Sequence, residues 1–208
     1  MYSLIITAAG TGNRFGASYN KVLHKINDKR IIELTIEKFI KFSEFSEIIV
    51  VINQEDLDVF NEIKKKYEIK IVFGGKTRAE SVYNGVLIAQ KDIVFIHDGA
   101  RCFISDEMIK ECFSIITDKN DAYTLAIPVV DTIKFGINGE LTKNLNRDNL
   151  YQVQTPQIFK KKELLKYAEN SNFNYTDEAT LFIEQNKNVK IIKGDVENIK
   201  ITYRKDIE

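Results

Sequence analysis

The chain has 208 residues, enough for one domain, or one domain with a small appendage. Apolar residues make up 44% and charged residues 29%, so a core can form without help from disulfides or metal. Thirty basic and thirty acidic residues cancel. That argues against a nucleic-acid-binding domain, which needs surplus Lys and Arg to neutralise a phosphate backbone, but leaves room for a local charge cluster around a small anion.

Six short runs rich in Ile and Val, at residues 3–8, 48–52, 69–73, 93–97, 123–128 and 189–193, read as strands buried on both faces. Between them lie helical stripes: Ile32, Phe39 and Ile40; Leu57, Phe60, Ile63 and Tyr67; Met108, Ile109, Cys112, Phe113 and Ile116. This β-α-β-α order predicts a Rossmann-like α/β fold, a mostly parallel sheet with helices on both sides. After Pro128 the pattern changes. Residues 132–137 read as a strand, Asn138-Gly139 as a tight turn and residues 150–154 as the returning strand. The expected architecture is one domain over 1–208, with a hairpin arm at about 131–154 that protrudes and finds a partner. Helices at about 161–169 and 176–186 and a last strand complete the chain.

Cys102 and Cys112 form no CxxC pair, and His24 and His97 lie far apart, so no zinc site is expected. The N-terminal MYSLIITAAG lacks a basic leader, and no apolar stretch reaches about 18 residues. The expectation is a cytoplasmic protein with no membrane span.

Open α/β sheets bind ligands at the carboxyl ends of their strands, and the unusual residues of this sequence fall there. The loop after the first strand, AAGTGNRFGASYNK (8–21), carries Gly10, Gly12 and Gly16 with Arg14 and Lys21. Its glycines let backbone N–H groups face an anion, so it can cradle a triphosphate. An ordinary βα turn with two solvated charges is the plainer alternative. No Gly-Lys-Ser/Thr follows, and Phe15 breaks a GxGxxG pattern, which disfavours a dinucleotide-dependent dehydrogenase. FGGKTRAESVYNG (73–85) offers Gly74 and Gly75 for a flat base, with Ser81 nearby; Thr77 or Arg78 near a helix cap is the plainer reading. In IHDGAR (96–101), Asp98 is a candidate carboxylate for Mg²⁺, which takes one or two carboxylates plus substrate phosphates. Arg101 can hold a second anion, and His97 reads as a packed strand-end residue. Arg147 on the arm, Thr176 as a cap in TDEA (176–179) and Lys200 in NIKIT (198–202) each read alone as ordinary surface or cap residues.

In this order, AAGTGNR with Lys21, GGKTRAESVYNG, HDGAR, PVVDTIK, NRDNLYQVQTPQIF, TDEA and NIKIT span residues 8–202. Together they resemble the 2-C-methyl-D-erythritol 4-phosphate cytidylyltransferase family. The resemblance implies a nucleotidyltransferase fold, a homodimer joined by the arms, and a Mg²⁺-dependent reaction of CTP with methylerythritol phosphate that releases pyrophosphate. It implies that Ala8, Ala9, Gly10, Gly12, Gly75 and Ser81 hold CTP, and that Arg14 and Lys21 stabilise the transition state. Asp98 would approach the metal, and Arg101 with Thr132 of the partner's arm would contact the sugar phosphate. Arg147, also from the partner, and Lys200 would position the attacking phosphate. A phosphate monoester is already a nucleophile, which agrees with a sequence lacking an obvious His or Cys nucleophile; charge neutralisation and alignment then carry the chemistry. Departures from the family pattern are Asn20 for a Pro, Val22-Leu23 for Gln and an aromatic, Lys76 for an acid, and Cys102 for a Pro. Without the proline the loop is expected to be more mobile. A sister cytidylyltransferase acting on ribitol 5-phosphate or another polyol phosphate is the nearest alternative, but that branch tends to read Ala-Gly-Gly and Asp-Ala-Val-Arg where this chain has Ala-Ala-Gly and Asp-Gly-Ala-Arg. A non-catalytic nucleotide-binding module is a third reading.

Overall fold

The computed structural model describes residues 1–10, 12, 15–17, 19–117 and 122–207. In chain order the elements are β1 (Tyr2–Thr7), a small hairpin of β2 (Lys25–Ile26) and β3 (Lys29–Arg30), α1 (Ile31–Phe39), β4 (Phe45–Ile52), α2 (Leu57–Lys66), β5 (Lys70–Phe73), α3 (Arg78–Ile88), β6 (Ile93–Asp98), α4 (Asp106–Ile115), β7 (Ala122–Pro128), β8 (Lys134–Ile137), β9 (Glu140–Asn144), β10 (Tyr151–Lys160), α5 (Lys161–Glu169), α6 (Glu178–Glu184) and β11 (Val189–Lys193). The six apolar runs all became strands of one seven-stranded sheet, ordered β11-β7-β10-β6-β1-β4-β5. Alternate side chains of each strand feed opposite faces. Leu4 and Ile6 join Ile36 of α1, Phe60 of α2 and Ile109 of α4 on one face. Ile5 joins Val82 of α3, Leu164 of α5 and Phe182 of α6 on the other. Burial on both faces explains why these strands read as continuous apolar runs rather than alternating ones.

The strand order positions the site. From β1 the chain steps outward to β4 and β5, then crosses back to place β6 on the other side of β1, with β1–β4, β4–β5 and β1–β6 all parallel. The connections diverge between β1 and β6, and a crevice opens at their carboxyl ends. There Gly10, Gly12 and Lys21 of the first loop meet Asp98, Gly99 and Ala100.

The region after Pro128 differs from the sequence expectation. Asn138 (φ 51°) and Gly139 (φ 86°) do form the turn, but the strand that returns is β9, pairing Ile137 with Glu140 and Lys134 with Asn144. A two-residue turn with both φ positive can only pair its immediate flanks, so residues 150–154 cannot be the return. Glu-Leu-Thr-Lys-Asn carries one large apolar side chain, which hid β9 from a periodicity reading. Residues 151–154 instead begin β10, which runs antiparallel between β6 and β7. The late segment therefore does enter the main sheet. Pro156 sits where the β10–β7 register shifts between Val153 and Gln157, a place that does not require its missing N–H. The β8–β9 hairpin stands apart as its own two-stranded sheet, exposed at every residue. A second correction concerns α6: its cap is Asp177, whose carboxylate accepts from Thr180 N–H at 3.0 Å, and not Thr176.

Candidate active site

A cleft of about 440 Å³ occupies the crevice. Its floor and one wall come from the first loop (Ala9, Gly10, Gly12, Asn20, Lys21), the facing wall from Gly75, Lys76, Thr77, Arg78 and Ser81, and its end from Asp98, Gly99, Ala100, Lys200 and Thr202. Of the residues singled out in the sequence, Ala9, Gly10, Gly12, Lys21, Gly75, Ser81, Asp98 and Lys200 thus converge on one space. Ala8 does not line it: this residue is buried in the core beneath, and its carbonyl accepts from Asn20. Arg101 stands one layer behind, through Asp98. Thr132 and Arg147 are exposed and do not line the cleft, with Arg147 Nη1 donating to Val130 O at 2.6 Å. Arg14 lies outside the described residues.

The first loop returns tightly on itself. Gly12 has φ +66°, and a Cβ there would stand 3.0 Å from Lys21 N and 3.2 Å from Lys21 Cβ, so only glycine lets the two ends of the loop touch. Asn20 is nearly fully buried. Its amide donates to Ala8 O at 2.5 Å and Asp56 Oδ2 at 2.8 Å, and its Oδ1 caps the short 3₁₀ turn Lys21–Leu23. Side-chain hydrogen bonds fix Asn20 at φ −61°, the value a proline would impose. On the opposite wall, Ser81 Oγ accepts from Gly75 N–H at 3.0 Å and donates to Thr77 O at 2.8 Å. A Cβ on Gly74 would lie 2.7 Å from both Ser81 Oγ and Ala9 Cβ, so the Gly-Gly turn brings the two loops into contact.

At the end of the cleft, Asp98 is almost wholly buried. Lys200 Nζ stands 2.9 Å and Arg101 Nε 3.3 Å from its Oδ2, and Arg78 Nε 3.8 Å from Oδ1. Burial alone would raise its pKa, but Lys200, Arg78 and Arg101 together hold the carboxyl well below the usual carboxylate range. Lys200, an ordinary charge when read alone but placed at the site by the family resemblance, arrives here because its segment is tied down. Arg101 Nη1 donates to Asn198 O at 2.6 Å, Asn198 Nδ2 to Thr155 O at 3.1 Å, and Ile201 N–H to Ala100 O at 2.9 Å.

Behind Asp98 runs a buried polar chain. Asp98 N–H donates to Thr155 Oγ1 at 3.1 Å, and Thr155 Oγ1 lies 3.0 Å from His97 Nδ1. His97 Nε2 lies 3.1 Å from Arg101 O. A carbonyl only accepts, so Nε2 carries the proton and Nδ1 accepts from the threonine hydroxyl. Burial pushes the His97 pKa down to about 4, so the ring is neutral and braces the turn that presents Asp98 and Arg101. The sequence reading of His97 as a packed strand-end residue agrees with this.

Two residues read only as helix-start residues have a larger place. Arg78 makes a bidentate contact with Glu178, Nη1 to Oε1 at 2.8 Å and Nη2 to Oε2 at 3.0 Å. Glu178 is fully buried. Burial works against a charged Arg78, but Glu178 and Asp98 outweigh it and raise its pKa. No sequence signal marked the pair; only the tertiary contact gives Glu178 a partner 100 positions away.

The residues fit a magnesium ion carried in on a polyphosphate. Oδ2 of Asp98 takes the contacts from Lys200 and Arg101, while Oδ1 faces Arg78 beyond hydrogen-bond distance. Among the described residues, no three His, Cys, Asp or Glu side chains gather to hold a metal by protein alone. One hard carboxylate beside a phosphate-sized cleft is what Mg²⁺ needs when substrate oxygens complete its shell.

A mostly parallel sheet with its cleft at the β1/β6 divergence, a glycine-rich loop on one side and cations around a single carboxylate on the other, defines the nucleotidyltransferase class of α/β proteins. Comparison with known proteins makes the assignment specific. A curated relative from Clostridioides difficile, named 2-C-methyl-D-erythritol 4-phosphate cytidylyltransferase, is 39% identical over 100% of this chain and 91% of its own length. A crystal structure of 4-diphosphocytidyl-2C-methyl-D-erythritol synthase from Anaerococcus prevotii superposes with TM-score 0.85 at 33% identity, covering 100% of this chain and 94% of that one. The Francisella tularensis 2-C-methyl-D-erythritol 4-phosphate cytidylyltransferase gives TM-score 0.83 at 31% identity, over 99% and 96%. The chain belongs to the 2-C-methyl-D-erythritol 4-phosphate cytidylyltransferase family, whose model matches residues 2–208.

Proposed function

We propose that this protein transfers CMP from CTP to 2-C-methyl-D-erythritol 4-phosphate, forming 4-CDP-2-C-methyl-D-erythritol and pyrophosphate. The observation that carries the reading is the meeting of Lys21, Asp98 and Lys200 with the glycine-rich loop in one cleft, in a chain of this family. An oxygen of the acceptor phosphate attacks the α-phosphorus of CTP. The bond from that phosphorus to the bridging oxygen breaks, and pyrophosphate leaves with the electron pair. The nucleophile is already an anion, so no general base is required, and the barrier lies in bringing two anions together in line. Lys21 and Arg14 neutralise charge that develops on the oxygens of the transferring phosphoryl group, Lys200 holds the acceptor, and Arg101, one layer behind, steadies Asp98 rather than touching the acceptor directly. The backbone around Ala9, Gly10 and Gly12 cradles the triphosphate, with Gly75 and Ser81 beside the cytidine. Holding both reactants in register can contribute up to about 7–11 kcal/mol in the best cases. A bound Mg²⁺ supplies charge neutralisation on the phosphates, and Asp98 is the carboxylate that would hold it.

The working unit is one nucleotidyltransferase domain that pairs as a homodimer, each arm lending Thr132 and Arg147 to the partner's cleft. Phe135, Ile137 and Leu141, each at least half exposed on the hairpin, favour a covered arm. No helix among the described residues is long and apolar enough to cross a membrane. A reducing cytoplasmic setting suits Cys102 and Cys112, both free thiols buried in the core. The test is pyrophosphate release from CTP and Mg²⁺ with methylerythritol phosphate or ribitol 5-phosphate as acceptor. Preference for the first is expected; preference for ribitol 5-phosphate, or no turnover with either, overturns the assignment. Mixing Arg147→Ala and Lys21→Ala protomers should restore part of the activity through one intact hybrid site.

A further inference from the structure

Glu178 comes from the start of α6, and no part of it reaches solvent. Its two oxygens grip Arg78 through three contacts of 2.8, 3.0 and 3.0 Å. Arg78 in turn lines the cleft and sets its Nε 3.8 Å from Asp98 Oδ1, while Lys200 and Arg101 pull on Oδ2. Both terminal guanidinium nitrogens are held by Glu178, so the side chain is poorly placed to clasp a phosphate itself. What it can do is keep a fixed positive charge opposite the other two cations. Without it, Asp98 would be drawn wholly toward Lys200 and Arg101 through Oδ2, with nothing to hold Oδ1 on the opposite side.

We propose that Glu178 and Arg78 act together as a positioning unit for Asp98, with Glu178 orienting the arginine and the arginine holding the carboxylate balanced between the two sides of the cleft. The unit deepens, and rests on, the cytidylyl-transfer reading. It also gives the TDEA segment a role in the reaction beyond starting a helix. Two helices that approach the site from one face of the sheet, α3 and α6, are thereby locked to the end of β6.

A buried ion pair can often be replaced by apolar side chains of similar volume with little loss of stability, whereas removing one partner is costly. This separates a positioning role from a structural one. The double variant Arg78→Met/Glu178→Met is expected to keep its thermal midpoint within a few degrees of wild type. Its kcat should fall thirtyfold or more with CTP KM within threefold, and calorimetric CTP affinity should be likewise unchanged. Stability restored together with kcat within tenfold of wild type overturns the proposal, as does a loss expressed only as CTP KM. If the double variant fails to fold, Glu178→Gln, which keeps the volume and one acceptor, decides at a temperature where circular dichroism shows it folded. A tenfold or greater fall in kcat at unchanged CTP KM supports the proposal, and a smaller one sinks it. Wild type measured alongside keeps the two readings apart: active wild type with unimpaired variants removes only the positioning role, whereas inactive wild type removes both.

Discussion

His97 links the stability of this protein to pH between about 4 and 6.5. The ring is fully buried, accepts from Thr155 and donates to Arg101 O, and packs edge-on against Phe39 at 4.7 Å between ring centroids. Protonation would add a donor at Nδ1, where the threonine hydroxyl already donates, and would place a charge in the core. Burial accordingly lowers its pKa from 6.5 to about 4. The folded state then binds fewer protons than the unfolded state between these values, so stability falls as the pH drops from about 6.5 toward 4. At about 1.36 kcal/mol per pH unit, the loss between pH 7 and pH 5 is about 2 kcal/mol. Asp98, Glu33, Glu37 and Glu47 are all held below their ordinary values. Their contributions are present above the unfolded carboxylate pKa of about 4 and are lost only as the pH falls further. Urea unfolding at half-unit steps from pH 7.5 to 5, on wild type and His97→Phe, measures the effect. The variant should start lower, by about 1–3 kcal/mol for each group it leaves unpaired at Thr155 and Arg101, and should show a slope smaller by about 1 kcal/mol per unit below pH 6. The comparison also cancels Glu178, which burial pushes upward and which works in the opposite sense. Equal slopes in the two proteins would refute the assignment of a neutral, hydrogen-bonded His97.

Lys21→Ala should lower kcat by at least a hundredfold while leaving CTP KM within a few-fold; near-normal kcat in steady-state kinetics would reject its transition-state role. Asp98→Asn leaves Lys200, Arg101 and Arg78 without their shared anion and should cost about 3–5 kcal/mol in denaturant unfolding, together with most of the activity. Asn20→Ala removes the ties to Ala8 O and Asp56; about 1–3 kcal/mol of stability and roughly tenfold in kcat should go, and unchanged kinetics would show that Lys21 is placed without it. Truncating Phe135, Ile137 and Leu141 to serine should shift sedimentation toward monomer and lower activity in parallel, whereas a monomeric variant with full activity would disprove shared sites.

The alternation of apolar runs and amphipathic stretches was enough to read a mostly parallel α/β sheet, because strands covered on both faces have few other sequences available to them. Glycines in the first loop, Asp98 at the end of β6 and the order of the motifs were also legible, since backbone approach and strand-end placement are local requirements. What the sequence left open depended on contacts between distant segments. Which strand answers Asn138-Gly139 turned on pairing that polar β9 does not advertise, and β10 could enter the sheet only because β6 and β7 offered it free edges. Lys200 and Glu178 looked like a solvated charge and a helix-start acid. Folding made one a partner of Asp98 and the other the anchor of Arg78, because the electrostatic cost of burying a charge is met by whichever opposite charge the topology brings near, and linear spacing carries no record of that.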